Sequence, residues 1–485
     1  MTAHVQVALA RRTLTPAALW MFGAAASAPM VVLVGGITAI YATTGVTALP
    51  LTFLLVAATM AILAVGYTTM ARHIGHPAAY YGILAHGLGR GWGVAGGAVA
   101  LIAYNAIQIS LYGLLGATMA THLGGTWWVW AGIAVAVVAV LGVRAIVLSI
   151  RVLAVVLTVS LLIVAAFVIA GTTQPADGDL SWAGFHTSGL LVGGIGGAIA
   201  FCVAAFTGID APGSFVEEAV DRRAIGRATI VGALALGGVY ATTAWAMGVA
   251  VGPYAIADLA AQPNSNLPFT ILGRLGDGWV ATAALMLIFA ILTSKLSFHC
   301  VIARYVFAMA REGVLPTRLA GTDHGTRVNA PRGGSLTQTA TAALVVAGFA
   351  VAGLDPLTQM FTWLSSLAAV GLLSLLLAAS VATLAAPPHI RGDRPRAWEW
   401  RIAPAVGVVT GAIVLLAMIG NIGSLLGAAP GSLFPLLLPA IILGAAIVGG
   451  AGAAYLRHTR PQIYAGIGRG IPAANAVPDA ITISI

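Results

Sequence analysis

SGLLVGGIGGAIAFCVAAFTGIDAPGSFVEEAV, residues 188–220, is too apolar for a surface helix and long enough to cross a bilayer, which takes ~20 residues. It is interrupted in the middle. Thr207 and Gly208 stand there, Asp210 follows, and Pro212 and Gly213 come next. Gly and Pro both oppose a continuous helix, and Pro removes a backbone donor. In lipid, broken backbone survives only where it is buried in protein or faces a watery cavity. An acid at that depth needs a partner or a task. The segment therefore reads as a discontinuous transmembrane helix whose break helps to form a solute site.

Composition sets the class. The chain has 485 residues, 59% hydrophobic and 8% charged, with a mean hydropathy of +0.98. Soluble domains carry about 25% charged residues, so an integral membrane protein is expected. The net charge of +9 does not indicate nucleic acid, because the charges fall between apolar segments. Arg11 and Arg12 lead straight into a full-length span, so no cleaved signal peptide is expected. Cys202 and Cys300 both fall inside spans, without metal-ligand spacing. There is no phosphate-cradling glycine loop and no nucleophile elbow. No cofactor or metal is expected.

Twelve spans are expected, at 16–41, 49–70, 91–120, 127–143, 149–171, 189–216, 227–251, 278–309, 336–352, 357–385, 404–426 and 433–455. One set of alternate loops carries Arg11, Arg12, Arg72, Arg90, Arg144, Arg222, Arg223, Arg327, Arg394 and Arg457, among others. The opposite set carries only Arg274, with Asp177, Asp179, Asp258, Asp277 and Asp355. Under the positive-inside rule both termini are cytoplasmic, in the cell inner membrane. The outer loop 252–277, with its Gln262–Pro263–Asn264 turn, either caps a vestibule or simply connects. The tail after Arg460 lacks a helical pattern and is expected to be mobile.

The first span mirrors the sixth. Gly23 to Pro29 (GAAASAP) puts small residues, a hydroxyl and a proline at mid-depth. Two interrupted spans at matching places in two halves point to a secondary transporter's site. The segments are then 1–15 N-terminal, 16–171 first repeat, 189–386 second repeat, 404–456 two further helices and 457–485 tail.

Lys295, the only lysine, lies at mid-membrane in the eighth span, with His299 one turn on. Either could carry a coupled proton. Alternatively Lys295 is a fixed counter-ion to Asp210, and His299 a satisfied core residue. Asp210 binds a substrate ammonium, pairs with Lys295, or caps a half-helix. Arg151 either stands in permanently for a bound cation or snorkels to the interface. Tyr104, Tyr112, Phe206, Phe298 and Trp363 could offer ring faces to an ammonium group. Glu217 and Glu218 read as a solvated charged loop rather than a gate, and Arg304 and Arg311 as anchors.

The chain resembles the amino acid–polyamine–organocation (APC) permease superfamily over nearly its full length. Five places carry the resemblance: AAASAPM at 24–30; Tyr67-Thr-Thr-Met-Ala-Arg-His with Pro77, Tyr80 and Tyr81; Gly142-Val-Arg with Ser149-Ile-Arg-Val; Phe206-Thr-Gly-Ile-Asp210 leading to Glu217 and Glu218; and SFHCVIARYVFAMAREGVLP at 297–316. The resemblance implies an all-α LeuT-type fold, with a five-plus-five inverted repeat and two extra helices. It implies amino-acid or amine transport by alternating access. It places substrate contacts at Ser27, Ala28, Pro29, Met30, Phe206, Thr207, Gly208 and Asp210, with Tyr104 and Phe298 nearby. Some proton-coupled relatives hold a lysine in the fifth span where Arg151 stands here. Lys295 then becomes the candidate cation substitute, facing the sodium-like site. Ile209 departs from the aromatic usual after the span-six glycine. The leading expectation is a proton-coupled permease; the alternative is an ion channel or an inorganic-ion permease, such as one for potassium, on the same scaffold.

Overall fold

The computed structural model describes residues 14–143, 150–262, 265–321, 331–391, 396–429 and 431–470. Arg11, Arg12, Arg144, Arg327 and Arg394, the start of the fifth span at Ser149, the Pro263–Asn264 turn, residues 1–13 and residues 471–485 lie outside the described residues.

The first helix, α1 (Pro16–Ser27), stops at Ala28 and resumes as α2 (Pro29–Val31), a π-helical turn (Val32–Ile37) and α3 (Thr38–Thr44). Then follow α4 (Leu49–Ile74), α5 (Ala79–Gly87), α6 (Arg90–Leu123), α7 (Trp127–Val143), α8 (Ile150–Thr173) and α9 (Ile195–Ala205). After a 3-10 stretch (Ala211–Phe215) come α10 (Arg223–Val251), α11 (Ile256–Ala261), α12 (Leu267–Leu272), α13 (Asp277–Arg311) and α14 (Arg332–Val351). The chain closes with α15 (Thr362–Ala385), α16 (Pro388–Arg391), α17 (Ala403–Leu425), α18 (Leu437–Thr459) and α19 (Pro461–Gly466).

Ten described helices are long and apolar enough to cross a membrane. Two shorter apolar helices, Trp127–Gly142 and Ile195–Ala205, fall at the expected fourth and sixth spans. The sixth is shorter than its apolar run suggests. Residues 188–194 are 3-10 and turn structure, so the regular helix begins only at Ile195. Four glycines at 189, 193, 194 and 196 weaken helix formation there.

Both interruptions are present, and each has a local cause. Ala28 is the one described non-glycine residue with positive φ, at 41°. A residue before proline is sterically driven from the α region, so the helix cannot run through it. In the second interruption Gly208 takes φ 104°, which an L side chain seldom adopts. The two breaks touch: a Cβ on Gly208 would lie 2.6 Å from the Ala26 Cβ, and one on Gly23 would lie 3.3 Å from Pro212.

Around them α1 packs against α8, α10 and α13, while α9 lies on α4, α15 and α17. The loop 252–277 carries two short helices. It folds as α11 against α3 and α12 against α8. Arg274 donates to the carbonyls of Gln174 (2.9 Å) and Ala250 (2.8 Å), tying this loop to the ends of α8 and α10.

Replacing Gly208 by alanine should cost ~1–3 kcal/mol, from left-handed strain plus the clash with Ala26. Gly238→Ala, in α10 with open space around it, should be neutral or slightly stabilising. Thermal unfolding of the detergent-purified variants measures both, and equal melting temperatures would contradict the packing described.

Candidate functional site

A helix that stops in the membrane leaves orphan carbonyls and N–H groups. Here hydroxyls from neighbouring helices answer several of them. Tyr240 of α10 donates to the Ser27 carbonyl at 3.1 Å and lies 3.4 Å from that of Ala205, so one phenol touches both breaks. Ser294 of α13 donates to the Ala26 carbonyl at 2.7 Å. Ser27 itself reaches the Thr207 carbonyl at 3.4 Å. Tyr67 of α4 donates to the Asp210 carbonyl at 3.0 Å.

Between the breaks is a cavity of about 50 Å³. Its backbone end is Ala26–Ala28 with Ala204, Ala205 and Thr207; its walls include Val31, Val32, Ile107, Leu111, Phe201, Phe298 and Phe361. Ser27, Thr207, Ser294 and Ser365 are its polar side chains, and no charged side chain lines it. The Thr207 hydroxyl is buried without a hydrogen-bond partner among the described residues.

Of the residues singled out from the sequence, Ser27, Ala28, Thr207 and Phe298 meet at this cavity. Met30 is fully buried outside it. Phe206 packs edge-on to Tyr240, with ring centroids 5.6 Å apart. Gly208 serves the contact with Ala26. Pro29 lines a second, smaller void with Ala25, Ala28, Ser160, Ala290 and Thr293, between α1, α8 and α13. Neither Lys295 nor Arg151 lines that void. Arg151 is exposed on the first turn of α8.

Asp210 is fully buried and accepts from the Tyr104 hydroxyl. Its second oxygen has no partner of good geometry among the described residues, although the Tyr80 hydroxyl also faces this carboxylate. Lys295 does not pair with it. Its fully buried ammonium lies over the Tyr112 ring, without a hydrogen-bond partner among the described residues. The reason is rotational. Ser294, the residue before it, faces the α1 break, which turns Lys295 toward α6 instead.

A buried polar chain runs beside Lys295. His299 meets Gln338 through Nδ1 and the Ser335 hydroxyl through Nε2 at 2.7 Å. Gln338 donates to Gln108 at 2.7 Å, and Gln108 donates to the Tyr112 hydroxyl at 3.2 Å. Both His299 ring nitrogens are thus satisfied. Sequence reasoning missed Gln108, Gln338 and Ser335, although an amide inside an apolar span is itself a signal. Gly142 is required here, since a Cβ would lie 2.2 Å from His299 Nε2. Trp363 does not line the cavity and packs between Phe349 and Phe434.

The mouth on the side of the chain termini overturns one expectation. Glu218 and Glu217 are not solvated loop residues. Glu218 pairs with Arg304 at 2.7 Å, with side chains 8% and 7% exposed, and Glu217 pairs with Arg311 at 2.9 Å. Arg304 also stacks on Phe215, 4.2 Å from the ring centroid. Residues seven apart share a helix face, so α13 presents both arginines to the two acids. A short bridge pairs Leu14 with the same segment, donating to the Glu218 carbonyl at 2.9 Å. The exit of α9 is therefore bolted to the end of α13, and this mouth is closed.

Removing one member of a buried pair costs ~3–5 kcal/mol because its partner stays charged. Glu218→Gln should accordingly lower the melting temperature more than Glu217→Gln. A reversed order would show that the Arg304 pair is not the tighter bolt.

The comparisons agree with this geometry. The family model described as amino acid permease matches residues 17–447. No curated protein matches the chain. An interrupted helix pair enclosing an uncharged cavity, inside a bundle of apolar membrane-length helices, fits a small-solute carrier better than an enzyme. The chain belongs to the amino acid permease family, within the APC superfamily.

Proposed function

We propose that the protein is a secondary permease for a neutral amino acid with a small or medium apolar side chain, working by alternating access and coupled to protons. The observation that carries the substrate reading is the cavity between the two breaks, apolar in its walls and free of charged side chains. Burying an unpaired charge costs far more than burying a methylene, so such walls reject basic and acidic side chains. The substrate's own charges meet backbone: the carboxylate at the helix start after Ala28, the ammonium at the carbonyls ending α9. Ser27 and Thr207 stand at that end with hydroxyls.

On this reading the fold is the LeuT type, with twelve crossings and two inverted five-helix repeats. It sits in the inner membrane with both termini cytoplasmic, as the arginine-rich loops suggest. The closed mouth described above then faces the cytoplasm.

Proton coupling is supported by two buried ionisable groups, Lys295 and Asp210, neither of which has a counter-charge in the described salt bridges. Intramembrane ionisable groups without a fixed partner are commonly functional. Lys295 contacts a ring face and Asp210 a phenol, so a change of charge at either breaks no ion pair.

Uptake into proteoliposomes tests both claims. Leucine, valine or alanine should accumulate under an inward proton gradient, with lysine and glutamate competing at least ~100-fold more weakly. Preference for a charged amino acid would refute the cavity reading, and accumulation driven by sodium alone would refute the coupling. Lys295→Met should keep exchange but lose pH-driven accumulation. Unaltered pH dependence there would remove Lys295 from the coupling.

A further inference from the structure

Residues 461–470 fold back onto the protein. Helix α19 packs on α18, with the Arg90 guanidinium 5.4 Å from the Tyr464 ring centroid. Ile467 is 3% exposed. Gly468 and Gly470 then take φ 81° and 71°. Left-handed glycines in this spacing turn successive N–H groups to one side, forming an anion-binding concavity. The anion is the chain's own. Gly468 N–H donates to the Glu312 carboxylate at 2.8 Å, and Gly470 N–H donates to its other oxygen.

Glu312 follows directly on α13 and is fully buried. The same carboxylate receives the Tyr81 hydroxyl of α5 and faces His76 Nε2 at 3.0 Å. Its neighbour Arg311 holds Glu217 at the closed mouth. The end of α13 is therefore gripped twice, by the exit of α9 on one side and by α5 and the tail on the other. A tail that merely lay on the surface would not send two backbone donors to one buried carboxylate. Nor would it need glycine at 468, where a Cβ would lie 2.8 Å from the Ala85 Cβ.

We propose that residues 461–470 are a built-in latch, which holds the end of α13 against α5 through Glu312 and must let go before the mouth beside the termini can open. The proposal rests on the alternating-access reading for its role in the transport cycle, although the latch itself is a matter of mouth opening.

Protonation does not release it near neutral pH. Burial pushes the Glu312 carboxyl up, but His76 and the converging donors outweigh this and hold it below the ordinary glutamate value. A depressed value means that the contact is at full strength above the usual carboxylate range and is lost only as pH falls through the lowered value. The titratable and charged groups around Glu312 are His76, Tyr81, His86, Arg311 and Arg469. Release is thus a movement of the tail.

Cys300, only partly buried here, reports on the mouth because its thiol lies against Arg304 beside the Glu218 pair. In a Cys202→Ala background, the rate at which a water-soluble maleimide labels Cys300 from the side of the termini measures opening. Deleting residues 461–485 should raise that rate about tenfold, within the usual range for coupled sites. The peptide PQIYAGIGRG (residues 461–470), added in trans, should slow it again while a scrambled peptide does not. Gly468→Val in the intact chain leaves Glu312 in place and should reproduce the deletion. Unchanged labelling in a monodisperse Gly468→Val protein overturns the latch, whatever the deletion does. If labelling responds as expected but no amino acid is transported even by the unaltered chain, the transport reading fails and the latch stands.

Discussion

An unsatisfied backbone group at membrane depth costs several kcal/mol, and that penalty organises this protein. Two helices stop where they could have continued, and neither stop would be tolerable facing lipid. Tyr240, Ser294, Ser27 and Tyr67 make them tolerable by bringing hydroxyls to freed carbonyls. These bonds fix how α4, α10 and α13 gather around the breaks. The cavity is what remains once the carbonyls are answered and the apolar walls close. The site and the stability of the fold are in this sense the same set of contacts.

Charge is sorted by position. At the mouth beside the termini, acids and arginines pair closely: Glu218 with Arg304, Glu217 with Arg311, and Arg72 of α4 with Glu399. In the middle of the bundle the two ionisable groups are kept apart, one against a phenol and one over a ring. Paired charges hold a conformation; unpaired ones can change state without breaking a bolt. The proposed gate and the proposed proton coupling call for these opposite arrangements.

The last turn of α13 is where these systems meet. Arg304 and Arg311 hold the exit of α9, and Glu312 holds α5 and the tail. Any rocking of α13 that opened the mouth would strain all of them together.

Much was legible in the residues alone. Apolar segments of membrane length, Pro29 after a run of alanines, and Thr207–Gly208 inside the sixth segment dictate an all-helical membrane protein with two interruptions, because neither a pre-proline residue nor a left-handed glycine continues a helix. The buried polar chain was legible only in part. His299 stood out, whereas Gln108 and Gln338 needed α6 and α14 to be brought together. What the order of residues could not settle is where a side chain on a helix points once the bundle closes. Lys295 and Asp210 are both buried and of opposite sign, yet rotation of α13 turns one to Tyr112 while Tyr104 takes the other. Glu217, Glu218 and residues 465–468 look like solvent-exposed loop and tail, and become wholly or largely buried only because distant helix ends converge on them. Local chemistry decides where a helix breaks, since that depends on a few adjacent residues. Pairing across the bundle depends on the relative rotation of helices far apart in the chain, and only the tertiary structure supplies it.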